Sequence, residues 1–139
     1  MPQDQLVKPE APIKRIATQC HGLTARDVAD SPVIADISAD VRAALHADAL
    51  VAHNAHVDVG VLRRQLTGWN VPEVFDTLKL ARRPVLDVPG YKLGTLVERF
   101  KLAEGFASEL RPHRATYDAL VTARLFVALA IRFPAGLGR

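Results

Sequence analysis

Apolar positions recur along this chain in two rhythms, one helical and one of short continuous runs. Ile34, Ile37, Val41, Ala44 and Leu45 return every three or four residues, with Asp36, Asp40 and Arg42 between them. That spacing predicts one amphipathic helix, which Ser31 would cap and Pro32 would open in its first turn. Further upstream, Leu6, Val7, Lys8 and Pro9 read as the end of a strand. Pro9 and Pro12 stop it and begin a loop that continues through His21, Gly22, Leu23 and Thr24. Thr24, three residues before Asp27, marks the next helix start.

The rhythm changes at Ala49, Leu50, Val51 and Ala52, a run of the length and character of a buried parallel strand, which ends in the polar turn His53-Asn54. A helix over 57–66 follows and is broken by Gly68, Trp69, Asn70, Val71 and Pro72. Val74 and Phe75 form a second short strand that runs through Asp76 and Thr77 into a helix ending near Arg82. Tyr91 and Lys92 introduce another helix on Leu93, Leu96, Val97 and Phe100. The last spans 116–133, with Leu120, Val121, Leu125, Ala128 and Leu129 facing inward, and Pro134 and Gly136 close it. Strands alternating with helices predict a parallel α/β sheet. There is no internal repeat, low-complexity tract or linker to divide the chain.

Composition narrows the class. At 139 residues the chain has the size of one domain, and 49% hydrophobic with 24% charged residues excludes a wholly disordered protein. No run of about 18 apolar residues predicts a membrane span, and Met1-Pro2-Gln3-Asp4 does not read as a secretory leader, so a cytoplasmic location is expected. The single cysteine, Cys20, can form no internal disulfide and reads as a small residue in a loop or partly buried position. The net charge of +3 is unevenly spread: residues 1–50 carry 5 Lys and Arg against 7 Asp and Glu, residues 51–139 carry 13 against 8. A basic field of that kind draws phosphate-bearing substrates, although a solvated surface is the ordinary explanation for scattered Arg and Lys.

The candidate chemistry lies in the basic part. Ligands of open parallel sheets collect beyond the carboxyl ends of the strands, which is where His53 to Asp58 falls. By spacing alone Asp58 is equally a helix-start carboxylate, favoured by the backbone dipole, and a metal ligand; Asp118 shares the ambiguity. His113, between Pro112 and a helix, reads alone as a loop histidine more readily than as a catalyst. His56 is expected at a helix start, partly exposed, and His46 on a helix surface. Trp69 could stack on a base, but more ordinarily covers the edge of the core.

Taken together, these residues resemble the DnaQ-like 3′-to-5′ exonucleases of the DEDDh class. That family's second motif, an apolar strand followed by His-Asn-x-x-x-Asp-x-x-x-Leu, is matched by Leu50-Val51-Ala52, His53, Asn54, Asp58 and Leu62. Its third, His-x-x-x-x-Asp with Arg and Ala after the histidine, is matched by His113-Arg114-Ala115 and Asp118-Ala119. Landmarks agree in order: His21-Gly22-Leu23-Thr24, Phe75-Asp76-Thr77-Leu78 and Tyr91-Lys92-Leu93-Gly94-Thr95-Leu96. The resemblance implies an RNase H-like α/β sheet flanked by helices. It also implies Asp58 and Asp118 as ligands of Mg²⁺ or Mn²⁺ in a two-metal site, His113 as general base, and Asn54 as a contact of the terminal nucleotide or a residue that ties down the turn. Hard cations prefer carboxylate oxygens, and a neutral imidazole can take a proton from water at neutral pH. The implied partners are single-stranded DNA or RNA 3′ ends and a DNA polymerase assembly, with no membrane.

One part of the family pattern has no counterpart. No Asp-x-Glu occurs in the sequence, and Asp4, Glu10, Asp27, Asp30, Asp36 and Asp40 lack the strand context to replace it. The expectation is therefore a single exonuclease-like domain over 1–139, N-terminally truncated by the first one or two strands, whose activity is weakened because carboxylates that stabilise the transition state are missing. The alternatives are a catalytically degenerate remnant that binds nucleic acid or a partner, and a fragment that does not fold alone. Val57, where many relatives carry an aromatic residue, is a smaller departure.

Overall fold

A computed structural model describes residues 3–136. In chain order its helices before the sheet are α1 (Arg15–His21), α2 (Ala25–Val28), a 3₁₀ turn over Ile34–Ile37, and α3 (Ser38–Ala44). Strand β1 (Ala49–Ala52) leads through a tight turn into α4 (His56–Gln65), and β2 (Glu73–Asp76) runs directly into α5 (Thr77–Arg82). Helices α6 (Leu93–Phe100) and α7 (Ala115–Arg132) follow, with a 3₁₀ turn at Pro134–Gly136. Each predicted element from Ala49 onward is present.

The strands pair in parallel, with Leu50 opposite Val74, Val51 opposite Phe75 and Ala52 opposite Asp76. The sheet has two strands among the described residues, and the far edge of β1 carries no ladder partner. Val51 is accordingly 37% exposed. Helix α7 packs against β1, α5 and α6. It buries Val121, Leu125 and Leu129, while Leu120 and Ala128 are half-buried. Leu96 from α6 and Ala81 from α5 complete the centre of the core at 0% exposure. Among the described residues no helix is long and apolar enough to cross a membrane.

The N-terminal part departs from the sequence reading in three places. Residues 6–9 form no strand: no segment offers them a ladder, and Lys8 instead donates its N–H to the Pro32 carbonyl at 2.9 Å. The loop expected through His21 contains α1, because Pro9 and Pro12 lie ahead of the helical stretch rather than within it. Gly22, left-handed at φ 76°, closes this helix and returns its N–H to Thr18 O at 2.7 Å. Cys20 is exposed on it. The single helix expected from Ile34 to Leu45 is two pieces, with Ile37 out of helical geometry (φ −113°, ψ 8°) and the Ser38 hydroxyl bonded back to Ala35 O at 3.2 Å. Thr24 does cap α2, with Asp27 completing a reciprocal capping box.

Candidate active site at the strand ends

The site begins where β1 stops. The chain leaves the strand at Ala52 and must start α4 at His56, so Asn54 turns it with a left-handed φ of 62°, a conformation asparagine tolerates better than most residues. Because Asp76 stands opposite Ala52 in the register, its carboxylate is beside the next two amides. It accepts from Asn54 N–H at 3.0 Å and Ala55 N–H at 3.1 Å, and it also caps α5 by accepting from Leu78 N–H at 3.0 Å. His53 is fixed on both sides. Its Nε2 lies 2.8 Å from the Tyr91 carbonyl and its Nδ1 2.8 Å from the hydroxyl of fully buried Thr77. A carbonyl only accepts, so Nε2 carries the proton, and in the neutral ring Nδ1 accepts from Thr77. Tyr91 is held in turn by its hydroxyl, which donates to Val85 O at 2.6 Å.

Asp58 lies in the first turn of α4, and Asp118 in that of α7. Both line one cavity of about 480 Å³ at the open edge of β1, together with Val51, Ala52, His53 and Thr122. Asp118 also lines a larger cleft of about 890 Å³, with Asn54, His113, Tyr91 and Lys92 in its walls. The structure thus brings Asp118 together with Asp58 on one side and with His113 and Asn54 on the other. His113 is exposed and left-handed at φ 66°, and its N–H donates to Asp118 Oδ1 at 3.2 Å. Asp58 is open to solvent along much of its side chain. Its carboxyl is nevertheless held above the ordinary value, first by partial desolvation and then by the negative charge of Asp76.

That environment suits a hard cation: two carboxylates face one cavity, and one of them is poorly compensated in the free protein. The donor set is short, however. Among the described residues no three His, Cys, Asp or Glu side chains stand close enough together to hold a metal ion. The other singled-out residues are peripheral. His56 is exposed at the start of α4, as expected, and His46 is exposed beyond the end of α3. Trp69 is half-buried and lines a small cavity of about 280 Å³ with Arg42 and Asn70, at the opposite ends of the strands. Asp76, Thr77 and Tyr91 entered the sequence reading as landmarks without roles. The available signal for Asp76 was an aspartate at a strand-to-helix junction, the position of an N-cap.

A His-Asn turn at the carboxyl end of the parallel strand pair and aspartates on two flanking helices lie together, and the chain belongs to the exonuclease family whose RNase_T model matches residues 2–126. The fold is RNase H-like α/β, as the motifs implied. Among solved structures it is similar to "Exonuclease X in complex with 5′ overhanging duplex DNA", with a TM-score of 0.74 and 32% identity over 92% of this chain and 72% of that one. Among curated proteins, a PolC-type DNA polymerase III of Caldanaerobacter subterraneus is 34% identical over 131 residues, 91% of this chain and 9% of the relative. A DNA polymerase III subunit epsilon-like protein of Rhodobacter capsulatus is 35% identical over 129 residues, and the 3′-5′ exonuclease DinG of Bacillus subtilis 31% over 127. The chain spans at most 18% of the length of these three.

Proposed function

We propose that this chain carries the nucleotide-binding and base-supplying side of a 3′-to-5′ exonuclease acting on DNA ends. The observation that carries the reading is the shared position of Asp118, which joins the cavity of Asp58 to the cleft of Asn54 and His113. In this reading Asp58 and Asp118 hold Mg²⁺ or Mn²⁺, which when bound stabilises negative charge on the phosphate oxygens. Asn54 contacts the terminal nucleotide. His113 accepts the proton of the attacking water, whose oxygen bonds to phosphorus as the bond to the preceding 3′ oxygen breaks and a nucleoside 5′-monophosphate leaves. The cleft's Lys92 and Arg82 favour an anionic strand. DNA rather than RNA, and work beside a polymerase, are supported by the relatives, which include two DNA polymerase III proteins and an exonuclease bound to duplex DNA.

The missing third carboxylate favours a second reading, in which these residues bind a 3′ end without cutting it. The open edge of β1, next to Asp58 and Asp118, is where a further strand bearing carboxylates would complete the site. One experiment separates the two. Single-stranded DNA with a free 3′ end is incubated with Mg²⁺ or Mn²⁺ and either this chain or a version preceded by a strand carrying Asp-x-Glu. Strong cleavage by the extended version, falling about 10²-fold or more in Asp118→Asn, is the expected result. Salt-sensitive binding with no cleavage in either version would establish the second reading, and neither binding nor cleavage would overturn both.

A further inference from the structure

We propose that Asp76 is a positioning residue for the 3′-end site, acting through the backbone of Asn54. The inference rests on the nucleotide-binding reading of Asn54 for its functional half, and on geometry alone for its structural half. An ordinary N-cap needs one acceptor for one amide, and Leu78 N–H already supplies that partner. Asp76 does more: its two oxygens also take the consecutive N–H groups of Asn54 and Ala55, across the strand pair. Ala55 is 3% exposed, so its amide has little access to water as a substitute acceptor. Accepting from two successive amides, at 3.0 and 3.1 Å, the carboxylate orients both peptides that flank Asn54.

Those two peptides set the left-handed φ of 62° at Asn54. Asparagine tolerates this conformation better than most residues, and here Asp76 on one side and the His53 ring, bonded at both nitrogens, on the other hold it there. The side chain of Asn54 is thereby delivered to the wall of the 890 Å³ cleft that it shares with His113 and Asp118. Without the carboxylate, the same residue can relax toward the right-handed or extended regions, and its side chain leaves the cleft wall.

The test uses Asp76→Ser, because a serine oxygen still caps α5 but is too short to serve the two amides across the strands. Amide exchange is measured residue by residue. Exchange at Asn54 and Ala55 is expected to accelerate at least tenfold while Val121 and Leu125 in α7 keep their protection; unchanged exchange at 54 and 55 overturns the proposal. Asp76→Asn, which keeps one acceptor oxygen, should give an intermediate result, and it serves if the serine variant fails to fold. The functional arm measures the affinity of the full chain for single-stranded DNA with a free 3′ hydroxyl against the same strand blocked by a 3′ phosphate. Asp76→Ser and Asn54→Ala are each expected to reduce the preference about tenfold, and the double variant no further. Additive losses would mean that Asp76 acts elsewhere and would overturn its action through Asn54. No preference in the unsubstituted chain would sink the proposed function instead, while the exchange measurement still decides the clamp.

Discussion

Residues 3–48 and 49–133 are built on different terms. The first segment contains three helices and a 3₁₀ turn, yet among the described residues it contributes one buried hydrophobic side chain, Val28, while the second contributes the other eleven. The first is tied to the second by individual bonds, such as Arg42 to Thr67 O at 2.7 Å and the Thr116 hydroxyl to Asp4. The second has a packed centre between α5, α6 and α7. Every candidate site residue belongs to the second segment. A site needs side chains whose backbone is held from several directions, and only the part with a core supplies that.

The two segments differ most at the core. Leu125 is fully buried, and Leu125→Ala is expected to lower stability by about 2–5 kcal/mol through lost burial and the cavity left behind. Ile16 on α1 is 80% exposed, and Ile16→Ala should change it by less than about 0.5 kcal/mol. Urea unfolding followed by circular dichroism measures both. Comparable losses at the two positions would show that the first segment buries more than its exposure indicates and that the two segments are held alike.

The same division explains what could be read from the sequence. Ala49–Ala52 and the helices after it were legible because their apolar runs and periodicity arise from burial, the force that holds them. Asp58, His113 and Asp118 were singled out by motif, and in the structure Asp118 lines one cavity with Asp58 and another with His113. Leu6 to Pro9 misled because an apolar run states that a segment prefers pairing but cannot supply its partner. Residues 15–21 were missed because α1 buries nothing and so leaves no amphipathic stripe; only Gly22 marked its end. The three amides gathered by Asp76 come from two separate segments, and no local pattern encodes a contact across the strand pair.

Within the well-packed segment, the charge at the site works against stability. The carboxyl of Asp58 is shifted upward, by desolvation and by Asp76, so between the ordinary value of 3.8 and its raised value the folded chain holds more protons than the unfolded one. Stability therefore falls as pH rises through that window, and the penalty is complete above it. Asp58→Asn keeps the shape and removes the charge. In the metal-free protein it is expected to raise Tm modestly at pH 7, with the difference closing as pH falls toward 4, while it abolishes any Asp58-dependent metal binding measured by calorimetry. A Tm difference independent of pH would show that the charge of Asp58 costs the fold nothing, and that the site is not held at the expense of stability.

The smallest effect belongs to the first segment, where the sign is reversed. Asp27 accepts from the Thr24 N–H at 2.7 Å and the Thr24 hydroxyl at 2.9 Å, bonds that hold its carboxyl below the ordinary value of 3.8, with Arg114 and Arg26 adding to the shift. Its contribution is present above 3.8 and disappears as pH falls through the lowered value, when the carboxyl must bind a proton to leave the box. Asp27 is fully exposed, so water and salt screen the interaction, and α2 has only 4 residues to transmit it. Asp27→Asn should accelerate amide exchange within α2 at pH 7 and leave exchange in α7 untouched. An effect reaching α7 would mean that the capping box is coupled to the core, and the first segment would then be part of the folding unit that holds the site.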